Sequence, residues 1–317
     1  MKKIGIIRGG ISPEYFISLK SGGAIISALQ DSEFEVVDML LDKDGVLHMK
    51  GIPTDLEKVS VSVDYIWNAL HGEFGEDGGI QKLLDTHSII YSGSGLAASA
   101  LAFNKKIAKD YAKNLGIKTP VSMLLTLEEG ESIADITARI YKTMAPPWVI
   151  KPLSGGGSIS TFFAFTPNEL FDVVQEVSSS AKVFMVEQYI EGTEVAVGVL
   201  DNFRNKKNYI LPVIDIDSPK RGVLSHEKRF SEPYTKDISR LRTDEREKLS
   251  ELAVMLHENL GAKDYSQSEF IVDRFGKIWF IEIDTHPALH SEAPFYKGLE
   301  QVGSNLTEFV KSILERR

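Results

Sequence analysis

The chain has 317 residues, enough for two or three packed units with ample apolar content for real cores. Its 36 Lys and Arg residues against 45 Asp and Glu give a formal charge of -9, which argues against a general nucleic-acid or anionic-membrane binder and leaves small anionic ligands to local basic residues. Cysteine is absent, which excludes disulfides, thiolate nucleophiles and Cys-ligated metals; with no secretory signal, apolar run long enough to span a bilayer, repeat or low-complexity tract, a soluble cytoplasmic protein is expected.

Lys3 to Ile7 reads as a short buried strand that runs into Arg8-Gly9-Gly10 and then, past Ser12-Pro13-Glu14, into an apolar-periodic helix ending near Leu29. Ser12 suits a cap and Pro13 a first helical turn, which puts Glu14 at a helix N-terminus beyond the carboxyl end of a strand, where open α/β sheets bind ligands. The spacing is not GxGxxG, so the glycines alone do not mark a dinucleotide site. Strands over Phe34 to Leu41 and Tyr65 to Leu70 complete a small doubly wound unit. The third strand opens on HGEFGEDGGIQKLLD, whose glycines permit a tight loop at the strand end and whose Glu76 and Asp77 can open a helix carrying Gln81, Leu83 and Leu84. His71 then stands at a strand's carboxyl end, as either a structural residue or a ligand. A short strand and the Ser/Gly turn after Tyr91 lead into one long helix bearing Lys105, Lys106 and Lys109, and that turn is the first domain boundary.

The middle of the chain predicts a strand at VSMLLT, a helix over Ile133 to Met144, and paired strands at Trp148 to Ile150 and Thr161 to Phe165 around a glycine-rich tip, Ser154 to Ser160. Consecutive glycines let backbone N–H groups converge on a phosphate, and Lys151 supplies charge at the strand end; an ordinary hairpin tip is the alternative, and the sequence is not a P-loop. A helix over Asn168 to Val177, capped near Thr166-Pro167, precedes strands at Val183 to Val186 and Val195 to Leu200, with Glu187 and Glu194 bracketing a sharp reversal. A further strand spans Tyr209 to Ile216, a charged loop contains Lys228 and Arg229, and a Thr-capped helix runs from Thr243 to Leu260, ended by Gly261.

EFIVDRFGKIWFIEIDTHP, Glu269 to Pro287, reads as a β-hairpin turning at Gly276. Pairing Asp273 with Ile278 sets Glu269 opposite Glu282, with Asp284 two residues along the same face. In that register Ile271 and Phe280 share the acid face, and Phe270, Val272, Trp279, Ile281 and Ile283 lie opposite, so both faces look partly covered and a solvated surface hairpin is the weaker alternative. Facing carboxylates need a cation to stay ionised, and hard oxygen ligands suit Mg²⁺.

In this order the segments resemble the D-alanine:D-alanine ligases of the ATP-grasp superfamily over nearly the whole length. The specific parts are GGISPEYFIS, HGEFGEDGGIQ, YSGSGLAASALAFNK, KPLSGGGS, EQYIEGTE and the acidic hairpin. The resemblance implies an α/β ATP-grasp fold: an N-terminal Rossmann-like substrate unit (residues 1–93), a small central α+β unit (94–186) and a C-terminal α+β unit (187–317), the last two clasping ATP. It implies that Lys105 and Lys151 touch the phosphates, that the tip with Gly156, Gly157 and Ser158 closes over them, that Glu187, Gln188 and Ile190 line the adenine pocket and that Glu194 takes the ribose. Glu269, Glu282 and Asp284 match metal positions for one or two Mg²⁺ ions, with Mn²⁺ as an alternative, and Glu14 and His71 match the first amino-acid subsite. The implied reaction forms an acyl phosphate and ADP from one amino acid and ATP, and a second amino acid's amine then displaces phosphate. Small-molecule substrates are the implied partners, with neither nucleic acid nor membrane, and a homodimer is a candidate state because dimers are common in such ligases.

The departures cluster at the substrate. Gln267 stands where the family pattern has an oxyanion-stabilising Arg, and Asp284 where it has Asn, which leaves the site two charges more negative. At an effective dielectric of about 20, each unit is worth roughly a few kcal/mol at contact distance. Gly157 and Phe230 fall where the pattern has Ser and Tyr, Arg229 where a Lys meets the second substrate's carboxylate, and Ala288 and Ala293 replace Gly and Ser. The expected activity is D-alanyl-D-alanine formation for cell-wall precursors; the alternatives are the same chemistry on another amino-acid or hydroxy-acid pair, or a nucleotide-binding relative with weakened catalysis.

Overall fold

The computed structural model describes residues 1–127, 130–153, 161–216 and 237–316. It contains three sheets. In the first, β1 (Lys3–Gly9) pairs in parallel with β2 (Glu35–Leu41) and β5 (Tyr65–Asn68), while β3 (Leu47–Met49) and β4 (Ile52–Pro53) extend the β2 edge antiparallel. Ile4, Ile6 and Ile7 are buried because helices cover the sheet, among them α1 (Tyr15–Leu29), with α2 (Leu56–Ser60) and α3 (Gly79–Thr86) in the connections. α1 starts later than predicted. Ser12 spends its hydroxyl on the His71 carbonyl (2.6 Å) and accepts the Glu14 N–H (3.2 Å), so Glu14 takes the cap position itself. β5 stops at Asn68, short of the expected Leu70, because the Asn68 amide accepts the Leu70 N–H (3.1 Å) and donates to the Gly75 carbonyl (3.0 Å), bending the chain. α3 likewise opens at Gly79, beyond Glu76 and Asp77.

The single long helix expected after Tyr91 is two, α4 (Leu96–Phe103) and α5 (Lys105–Asn114). Asn104 breaks it: its backbone is extended (φ -80, ψ 100) and its side chain caps α5 by accepting the Ile107 N–H at 3.1 Å.

The second sheet comprises β6 (Ser122–Thr126), β7 (Trp148–Pro152), β8 (Phe162–Ala164) and β9 (Val183–Gln188) in the order β6-β9-β7-β8, all antiparallel. It packs on α6 (Ile133–Thr143) and α7 (Pro167–Ser180), started by Ser132 and by Thr166-Pro167, around Ile140, Trp148, Leu170 and Phe184.

In the third sheet, β10 (Gly192–Phe203) pairs with β11 (Lys206–Ile210), β12 (Ile214–Ile216) and β13 (Tyr265–Asp273), and β14 (Ile278–Asp284) pairs with β13. The single strand expected over Tyr209 to Ile216 is split, since Pro212 has no N–H for a ladder and the Leu211 N–H goes to the Gly198 carbonyl (2.9 Å). α8 (Thr243–Leu260) matches its predicted span and ends on left-handed Gly261, but the residue before it is Arg242, whose N–H is taken by Glu245 (3.0 Å), so Thr243 is not its cap.

The acidic hairpin forms with a corrected register. Val272, not Asp273, pairs with Ile278, and an irregularity beside Ile281 restores Glu269 opposite Glu282, with Asp284 opposite Gln267. The extra residue turns Phe280 to the core, 5.9 Å ring to ring from Phe270, and sets Trp279 opposite Ile271, reversing the faces predicted for both aromatics.

Packing does not follow the expected division of the chain. Ala102, Ala108 and Ala112 of α4 and α5 join the core of the third sheet, although they lie within 94–186. Of the two C-terminal helices, α9 (Pro294–Gln301) and α10 (Leu306–Leu314), the second places Phe309, Val310 and Ile313 against Ile4, Ile6 and Trp67 of the first sheet. Among the described residues no helix is long and apolar enough to cross a membrane.

Candidate active site

The carboxyl ends of β1 and β5, the start of α5 and the β13-β14 hairpin surround a cleft of about 190 Å³. It is lined by Glu14, Glu76, Glu269, Glu282 and Asp284, with Lys105 as the one Lys or Arg side chain among its described residues. Five acids against one lysine make a wall that selects for cations or for a metal-bound anion. Asp284 shows the strain: burial, and then the nearby Glu76, push its carboxyl up to about 8, although the His286 N–H donates to it at 2.7 Å. Burial acts on Glu282 in the same sense, but Lys105 (3.5 Å away), Lys151 and Lys109 outweigh it and hold that carboxyl below its ordinary value.

The predicted subsite residues meet at the other wall. Glu14 is buried and its carboxyl is raised, first by burial and then by Asp284 and Glu282 against the pull of His71 and Lys105. His71 shares a proton with Glu76 at Nδ1 (2.8 Å) and with Ser21 at Nε2 (3.0 Å), and Ser21 accepts the Leu289 N–H (3.1 Å). Both ring nitrogens are therefore engaged, and burial lowers the imidazole's proton affinity. Glu76, seen in the sequence only as a helix opener, is a member of this cluster. Glu14, His71 and Glu76 bring ligand atoms within 4.8 Å of one another, but a histidine with both nitrogens bonded makes this a hydrogen-bonded cluster rather than a metal cage.

Among the residues predicted for the nucleotide, Lys151 and Glu187 lie on the adjacent strands β7 and β9 with Nζ 2.7 Å from Oε2, while Lys109 of α5 stands 2.8 Å from Oε1. Burial alone would raise Glu187, yet Lys151 and then Lys109 bring it down to about 2. Burial brings Lys109 to about 8, with Glu187 opposing. Lys105 and Lys109 are four residues apart on one helix face, the available signal for this second lysine. Glu194, on β10, is pushed up to about 7 by burial and by Glu282, with Lys151 opposing. Ile190 is buried, whereas Gln188 is exposed and its N–H is held by the Val121 carbonyl (2.8 Å). Gly156, Gly157, Ser158, Lys228, Arg229 and Phe230 lie outside the described residues.

Glu269, Glu282 and Asp284 line one wall with oxygen donors, the chemistry of a hard divalent ion that keeps some of its waters, but among the described residues these three carboxylates do not close to within 4.8 Å of one another as Glu14, His71 and Glu76 do. Gln267 is buried beside them; its Nε2 donates to Glu269 Oε1 (3.1 Å), and its Oε1 has no hydrogen-bond partner. The reverse orientation would set amide oxygen against carboxylate, which fixes this assignment.

The family model described as "D-ala D-ala ligase C-terminus" matches residues 111–315. A D-alanine–D-alanine ligase from Carboxydothermus hydrogenoformans is 32% identical, covering 98% of this chain and 97% of the relative. One from Aquifex aeolicus is 31% identical, covering 98% and 99%. This chain belongs to the D-alanine–D-alanine ligase family. The structure of the Bacillus anthracis D-alanine–D-alanine ligase complexed with ATP superposes with a TM-score of 0.80 at 25% identity, covering 99% of this chain and 97% of that one. The fold is the expected ATP-grasp fold. In this chain the acid wall lies between the first sheet's strand ends and the third sheet's hairpin, with Lys105 of α5 reaching Glu282, while Lys151 of β7 pairs with Glu187 on the second sheet.

Proposed function

We propose that this chain is a cytoplasmic, ATP-dependent ligase that joins two D-alanine molecules for cell-wall precursors. The observation that carries the reading is Lys105 of α5 standing 3.5 Å from Glu282 in the acidic hairpin, with Lys151 of β7 holding down the same carboxyl from the second sheet. In the first step one substrate carboxylate attacks the γ-phosphorus, the bond to the β-phosphate oxygen breaks, and acyl phosphate and ADP result. In the second, the amine of the other amino acid attacks the acyl carbon, phosphate leaves with the bonding pair and the amine loses a proton.

Glu14 offers its carboxylate to the first substrate's ammonium, with His71, fixed by Glu76 and Ser21, behind it. Lys105 and Lys151 neutralise the phosphoryl group in transit, and Glu194 is placed for a ribose hydroxyl. Mg²⁺ held by Glu269, Glu282 and Asp284 would supply further charge neutralisation at the phosphates. In this reading the boundaries near 94 and 187 stand as breaks in the chain, but α4 and α5 pack with the third unit, so the central unit begins only after Asn114.

Mixing the protein with MgATP and D-alanine is expected to release ADP and form the dipeptide; silence at high D-alanine rejects the proposal. A second reading, the same chemistry on another amino-acid or hydroxy-acid pair, is favoured by Gln267, Ala288 and Ala293 lining the cleft. Phosphate release across a panel of acceptors separates the two, and turnover with D-alanine alone sinks the second. ATP binding without product from any pair identifies a relative that has lost catalysis.

A further inference from the structure

Lys109, Lys151 and Glu187 bury two cations with one anion. Lys109 is fully buried, and although its Nζ is 2.8 Å from Glu187 Oε1, neither atom makes an aligned hydrogen bond, so the contact is ionic. The partners belong to different bodies: α5 is anchored in the core of the third sheet through Ala108 and Ala112, whereas Glu187 and Lys151 are on the second sheet.

On the ligase reading, Lys151 has to leave Glu187 to engage a phosphate. A buried carboxylate stripped of its only cation is strongly unfavourable and would hold the lysine back. A second cation that stays behind removes that penalty. We propose that Lys109 is a positioning residue: it keeps Glu187 neutralised from the third sheet's side, so that Lys151 is released to the nucleotide triphosphate. Lys109 itself is too deeply buried to reach the ligand and acts through its neighbours.

The test is calorimetric titration of MgATP into the full chain. Lys109→Gln keeps an N–H donor near Glu187 and removes the charge; its Kd is expected to rise roughly tenfold, the worth of an ionic hydrogen bond that Lys151 must now give up. Adding Glu187→Gln to that variant is expected to bring Kd back to within about twofold of Glu187→Gln alone, because with no anion to guard, Lys109 no longer matters. An unchanged Kd in Lys109→Gln overturns the proposal. So does a weakening that Glu187→Gln does not relieve, which is what a packing role gives. Should Lys109→Gln fail to fold, Glu187→Gln is compared with Lys109→Met/Glu187→Gln: equal Kd values support the proposal and unequal ones overturn it. Because binding is read rather than turnover, a protein that binds MgATP but makes no dipeptide defeats the ligase reading while the Lys109 comparison still decides its own question.

Discussion

Gln267 shows what one side chain does to the charge of the cleft. It is buried beside Glu269 with its amide oxygen unpartnered, in a wall that holds five acids and one lysine. A tetrahedral oxyanion forming there meets an amide dipole rather than a full positive charge, and a fixed charge is the stronger stabiliser. Gln267→Arg is therefore expected to raise kcat for D-alanine roughly tenfold, about 1.4 kcal/mol of barrier. Steady-state ADP formation checks this, and a lower kcat in a folded Gln267→Arg protein sinks it. That Gln267 stands where the family pattern has a cation is an expectation from the resemblance alone. That its oxygen is left without a partner was not legible in the sequence, since it depends on how the amide is turned toward Glu269 two residues away on the same face.

The hairpin and the α4-α5 pair carry the lesson at the scale of elements. Alternating β-branched and aromatic residues made β13 and β14 legible, and Glu269 opposite Glu282 was predicted correctly. The bulge was invisible because Ile281 is an ordinary strand residue; only tertiary packing of Phe280 on Phe270 reveals which way the extra residue turns the chain. Phe280→Ala removes a ring buried in that core and is expected to cost about 3–5 kcal/mol. Denaturant melts measure it; a loss under about 1 kcal/mol, usual for surface sites, would put Phe280 back on the acid face. The break at Asn104 did leave a mark, an N-cap residue ahead of Lys105, but good helix formers on both sides masked it. The Lys109-Glu187-Lys151 contacts join residues far apart in the chain and have no local signature beyond the Lys105-Lys109 spacing.

At the scale of the molecule, Glu187 pairs with Lys151 inside the second sheet and is tied to the third sheet's core through Lys109, which gives stability a definite pH dependence. Its carboxyl is brought from an ordinary 4.5 down to about 2, so its contribution is complete above 4.5 and is lost as pH falls toward 2. The stability gap between wild type and Glu187→Gln is expected to be wide at neutral pH and narrower near pH ~3, where unfolded-state carboxylates are already protonated. Chemical denaturation at both values reads it; a gap that widens in acid is the wrong sign. The first and third sheets are joined more firmly, by Trp67, Tyr265, Phe295 and Phe309 in one aromatic cluster. Phe309, Val310 and Ile313 of α10 join Ile25 and Leu29 of α1 in closing over Ile4, Ile6 and Trp67, so the cover of β1 and β5 is incomplete until α10 is available. During synthesis, then, part of the apolar surface of β1 and β5 emerges from the ribosome well ahead of the segment that completes its shield, and it stays open until α10 follows.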